Sequence, residues 1–156
     1  MASGPGGARP VVGVVHAPVL GKTYIGAKGL GAWAGTTGGV GVERVKAASF
    51  SEKEAGLVLV VSRSHMDAKT EEFVKGFEAP EKKSMGRSLK CMLVATGEAH
   101  IYPRLAPMME WDTAASQIVV EETGGEVLVH ETEKPMMYSK EDLLDPFFRV
   151  YGARKV

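Results

Sequence analysis

Glycine placement constrains this 156-residue chain more than any other feature. Most of its 19 glycines fall between Gly4 and Gly41, and a helix interior tolerates them poorly, at a cost of about 1 kcal/mol each against alanine. The front of the chain is therefore expected to form strands separated by turns. Val11–His16 is a β-branched run, Pro18 and Gly21 punctuate it, and Lys22–Ala27 begins a second extended piece. Gly29-Leu30-Gly31 breaks the chain before Ala32–Ala34, and Gly38-Gly39 closes the segment. Short β-rich pieces between Gly and Pro signals predict antiparallel hairpins. Residues 1–10, rich in Gly, Ala and Pro and lacking an apolar stretch, read as a disordered leader rather than a secretory signal.

From Ser49 the rhythm changes. Leu57–Val61 is a continuous apolar run, as expected of a strand covered on both faces. Asp67–Phe77 predicts a helix, with Phe73 and Phe77 one turn apart, Glu71/Lys75 at i,i+4 spacing, and Ala79-Pro80 as its stop. A second helix is predicted from about Met85 to Thr96, with Gly97 as its left-handed cap. Ala99–Tyr102 reads as a short strand, and Asp112–Thr123 as a third helix stopped by Gly124-Gly125. Glu126–Val129 is a further strand, Lys134–Asp145 a loop with one helical turn, and Phe147–Tyr151 the last strand. Strand, helix, helix, strand, helix, strand is an α/β pattern.

Charge narrows the function. With 19 Lys+Arg against 19 Asp+Glu, the chain lacks the basic excess that a nucleic-acid polymer or a membrane surface demands. The apolar stretches Val11–Leu20 and Leu57–Val61 fall far short of the roughly 20 residues of a membrane span. The single Cys91 forms no internal disulfide and fits a reducing compartment, the cytoplasm or an organelle interior. It sits on the apolar side of a helical pattern with no His beside it, which reads as core. His16, His65, His100 and His130 show no zinc-site spacing, and neither GxGxxG nor GxxxxGK[ST] is present.

Three segments put polar groups where a strand or loop meets a helix start. Ser62-Arg63-Ser64-His65 follows the Leu57–Val61 strand, at the kind of strand end where open α/β sheets bind ligands; alternatively, Ser64 caps the next helix and His65 is solvated. Gly86-Arg87-Ser88-Leu89-Lys90 opens the second helix, and its Ser and Lys could hold a phosphate or a ribose hydroxyl, or form a solvated face. Arg104 could pair with either segment or lie exposed. In Trp111-Asp112-Thr113-Ala114-Ala115, Asp112 is either a helix cap or a hard oxygen ligand for Mg²⁺.

Together with Val11–Ala34, Glu98–Arg104 (EAHIYPR) and Leu143–Val150 (LLDPFFRV), these segments occur in an order that resembles the 3′(2′),5′-bisphosphate nucleotidase branch of the inositol-monophosphatase-like phosphatases. The resemblance runs from about Pro10 to Val150, and WDTAA and SRSH are its most specific parts. It implies a mixed α/β fold, a layered sandwich of sheets and helices. Residues 11–48 would be the β-hairpin remnant of a first lobe, and residues 49–156 the C-terminal lobe.

The resemblance also implies chemistry. Asp112 matches the family's metal-binding Asp beside the substrate phosphate, with Mg²⁺ as cofactor. His65, Lys90 and Arg104 match positions that hold the nucleotide, and Ser64 lies within the same motif. Where the family has GSSLK, this chain has Arg87 in place of the first Ser, with Ser88 matching the second; the guanidinium could still meet a phosphate. The family's Asp-Pro-Ile/Leu-Asp-Gly-Thr metal motif occurs nowhere in the 156 residues. The implied substrate is 3′-phosphoadenosine 5′-phosphate and the product AMP. A catalytically silent nucleotide-binding lobe and an inositol phosphate phosphatase are the alternatives. Strands left without the rest of their sheet are expected to associate with a first lobe or a second copy.

Overall fold

The structure, a computed structural model, describes residues 2–4, 7–62, 66–86 and 89–155. The chain opens with a small hairpin of β1 (Ala2–Gly4) and β2 (Gly7–Arg9). A four-stranded antiparallel sheet follows in the order β3 (Val12–Ala17), β4 (Lys22–Ala27), β5 (Gly31–Thr36) and β6 (Glu43–Arg44). The Gly- and Pro-punctuated segment thus forms the hairpins that its turn residues predict.

The second sheet is mixed and five-stranded. In spatial order it holds β11 (Glu126–Val129), β12 (Phe148–Tyr151), β10 (Ile101–Arg104), β8 (Val58–Val60) and β9 (Glu81–Lys83). β10 and β8 run parallel, with Ile101 beside Leu59. β7 (Ser49–Phe50) pairs with β13 (Ala153–Arg154) alongside. Three α-helices occur among the described residues, α1 (Ala68–Lys75), α2 (Leu89–Ala95) and α3 (Glu110–Glu122). Among the described residues no helix is long and apolar enough to cross a membrane.

Period-2 alternation divides the second sheet between two cores. Val60, Tyr102, Val127, Phe148 and Val150 join one cluster with residues of α2 and α3. Leu59, Val61, Ile101, Leu128 and Tyr151 join the other, with Val74 of α1 and Phe50. α3 is the shared layer, because its other side lies against the four-stranded sheet. Glycine permits that approach: a Cβ on Gly13 would stand 2.3 Å from the Ala115 carbonyl oxygen, and one on Gly26 2.7 Å from Val119 Cα.

Several boundaries differ from the sequence reading. Gly7–Arg9 is strand rather than leader, since Ala8 exchanges two 2.9 Å backbone bonds with Tyr138 and Arg9 pairs with Glu121 of α3. Ser84–Gly86 is not helical, so α2 starts later than Met85. No helical turn forms over residues 134–145; isolated bridges, Leu128 to Pro135 and Met109 to Leu144, hold that loop instead. The strand β9 has no apolar signal, being Glu-Lys-Lys at a sheet edge.

Candidate active site

The parallel pair fixes the location. Because Ile101 stands beside Leu59, Ser62 and Arg104 lie at matching heights, each three residues beyond the pairing, at the carboxyl ends of β8 and β10. α2 leads by a tight turn into β10, and β10 leads through residues 105–109 into α3. The N-termini of both helices are thereby brought to the edge where the strands end. Helix N-termini and parallel strand ends together favour anions.

Lys90 enters that edge from the first turn of α2. It is 7% exposed, its Nζ donates to Ser62 Oγ at 3.2 Å, and the ammonium lies 5.5 Å from the Tyr102 ring centroid. This is not the solvated helix face that its spacing allowed; a buried ammonium requires partners, and Ser62 is one. Arg104 is half-buried, with Nη2 donating to the Pro107 carbonyl at 3.0 Å and Nε buried without a partner among the described residues. Ser64, His65, Arg87 and Ser88 lie outside the described residues.

Asp112 occupies the third position of α3, half-buried beside the exposed Trp111. It is not the helix cap: Met109 holds that position and offers no side-chain bond. The Asp112 carboxylate accepts no hydrogen bond from any described residue. Likewise the cap of α1 is Asp67, whose Oδ1 accepts the Thr70 amide at 2.9 Å, and not Ser64.

Sequence reasoning missed the polar cluster that secures this helix start. Glu110 Oε1 pairs with Lys140 Nζ, and its Oε2 accepts the Ser139 amide at 2.9 Å. Lys140 Nζ also lies 3.4 Å from Asp145 Oδ1, while Thr113 Oγ1 donates to Asp145 Oδ2 at 2.7 Å. Burial opposes ionisation of Glu110, but Lys140 and the two loop amides outweigh it and hold the carboxyl below its ordinary range. Burial raises Asp145 instead, although Thr113 and Lys140 pull the other way. Residues 30 apart in sequence leave no local signal of such a pairing.

Two clefts, of about 330 and 310 Å³, adjoin residues next to the site. The first lies between Phe73, Leu105, His130 and Phe147, and the second between the Pro18–Leu20 turn and Gly86 with Leu89. Asp112 lines neither. No group of three His, Cys, Asp or Glu side chains that could hold a metal ion occurs among the described residues. Asp112 thus fits one position in a Mg²⁺ shell, as a hard oxygen donor, and does not form a cage by itself. Cys91 adds no nucleophile, since burial pushes its thiol up to about 12.

This is a layered α/β protein with two cations and one carboxylate at or beside the ends of a parallel strand pair. It belongs to the inositol monophosphatase family, whose profile matches residues 7–146. The chain is 38% identical over 144 residues to the 3′(2′),5′-bisphosphate nucleotidase CysQ of Escherichia coli K12, covering 91% of this chain and 55% of that protein. The CysQ of Aggregatibacter actinomycetemcomitans is 35% identical over 143 residues, covering 90% and 51%. Among solved structures, CysQ of Bacteroides thetaiotaomicron matches with a TM-score of 0.83 at 37% identity, over 95% of this chain and 60% of that one. The inositol monophosphatase of Anabaena shares the fold, with a TM-score of 0.70 at 24% identity over 94% of this chain and 57% of that one. The chain thus spans about half the length of the curated relatives it matches.

Proposed function

We propose that this chain carries the substrate-holding half of a Mg²⁺-dependent phosphatase that removes the 3′-phosphate of 3′-phosphoadenosine 5′-phosphate and leaves AMP. The observation that carries this reading is Lys90, a buried ammonium tied to Ser62 at the strand edge. The similarity to bacterial bisphosphate nucleotidases supports the choice of substrate. Lys90 and Arg104 bind phosphate oxygens through charge-assisted hydrogen bonds, and Arg104 Nε has no partner among the described residues. The family resemblance assigns nucleotide contacts to Ser64, His65, Arg87 and Ser88 as well, outside the described residues. Asp112 would hold Mg²⁺ at the scissile phosphate, its carboxylate accepting no bond from described neighbours. When bound, the ion neutralises phosphate charge and lowers the pKa of a water.

Further ligands must come from outside this carboxylate. The outer face of the four-stranded sheet supports association with a first lobe: Val14, Ile25 and Trp33 form one cross-strand row there, and Val14 is 53% exposed. In its absence a second copy covers the same face. The buried free Cys91 suits a reducing cytoplasm.

Phosphate release from 3′-phosphoadenosine 5′-phosphate by the purified chain with Mg²⁺ tests the reading. Release is expected once an associated first lobe or second copy supplies the further Mg²⁺ ligands, with loss in Asp112→Asn, and Lys90→Ala should weaken AMP binding roughly 10- to 100-fold. AMP binding without turnover would identify a silent nucleotide-binding lobe. Faster hydrolysis of an inositol bisphosphate would move the substrate class, and neither binding nor release would overturn the proposal.

A further inference from the structure

The Asp112 carboxylate is held by nothing at its own tip among the described residues, yet the backbone on both sides of it is clamped. Glu110 and Thr113 flank it within one turn, and both reach into the 139–145 loop: Glu110 to Lys140 and the Ser139 amide, Thr113 to Asp145. Backbone bonds reinforce the same contact, from the Glu110 amide to the Leu143 carbonyl at 3.0 Å and from the Asp145 amide to the Met108 carbonyl at 2.8 Å. At roughly 100° per residue, positions 110 and 113 share one face of α3 and position 112 projects away from it. The clamp therefore fixes the direction of Asp112 without using any of its oxygen atoms. Lys140 is the centre of the clamp, a cation between the carboxylates of Glu110 in α3 and Asp145 in the loop, which would otherwise repel.

We propose that Lys140 is a positioning residue: by joining Glu110 to Asp145 it locks the first turn of α3, so that Asp112 meets a divalent cation already oriented. This rests on the reading of Asp112 as a metal ligand. A carboxylate that brings only one ligand gains most from such fixing, because the ordering is done before the cation arrives.

The test is NMR of the isotope-labelled full chain, with amide hydrogen exchange and titration by Mn²⁺ alone. In the unmodified chain, Mn²⁺ should broaden the backbone amide resonances of Trp111 and Thr113, and Asp112→Asn should abolish the effect. Lys140→Met should speed exchange of the Glu110 and Asp145 amides roughly tenfold while leaving α2 protected, and several-fold more Mn²⁺ should be needed for equal broadening. Lys140→Arg should restore both. Unchanged broadening in Lys140→Met, or exchange that rises equally in α2 and β10, would overturn the positioning role. Absence of broadening in the unmodified chain would instead overturn the metal reading of Asp112, and with it the purpose assigned to the clamp.

Discussion

The two sheets meet α3 on different terms. The five-stranded sheet is covered on both faces, and Leu59, Val60, Ile101 and Val150 are fully buried. The four-stranded sheet turns Gly13, Val15 and Tyr24 towards α3 but leaves Val12, Val14 and Ile25 outward at 63%, 53% and 42% exposure. One sheet is covered on both faces within this chain and the other on one face only. The five-stranded sheet carries Arg104 and sets the heights at which Ser62 and the helix starts arrive. The four-stranded sheet acts through α3, as the surface against which that helix is laid.

Substitutions that separate the two sheets sharpen this contrast. Leu59→Ala should have the largest effect, about 3–4 kcal/mol in chemical denaturation, because it opens a cavity between layers that cannot collapse freely. Gly26→Ala should follow, at about 2–3 kcal/mol, since its methyl group would stand against the Val119 backbone and force the sheet off α3. The smallest change should come from Ile25→Thr on the outer face, within about 0.5 kcal/mol, accompanied by weaker self-association in light scattering. A loss at Ile25 as large as that at Leu59 would break the comparison and show the outer face to be covered within one chain.

The sequence made much of this legible where periodicity was strong. Leu57–Val61 read as a doubly covered strand, and its residues do divide between two cores. The helices at 68–75 and 110–122 fall on their apolar spacing, shifted at the ends because caps are chosen by backbone geometry. Asp67 rather than Ser64 caps α1, and Met109 rather than Asp112 precedes α3. The strand Glu81–Lys83 was illegible, because an edge strand made of charged residues is specified by its neighbour β8 and not by its own pattern. The site was legible as separate polar segments at helix starts, but not as a place.

Local preference and the order of turns and apolar runs were enough to predict antiparallel hairpins followed by an α/β segment with three helices, since these depend on residues close in sequence. Which polar groups share a surface depended on distant contacts. Pairing of Ile101 with Leu59 set Ser62 level with Arg104, and Lys90 became buried only once α2 packed there. The Glu110–Lys140–Asp145 cluster arose from a loop 30 residues away. Such contacts are settled by how buried charges find partners as the layers close, which no local pattern encodes.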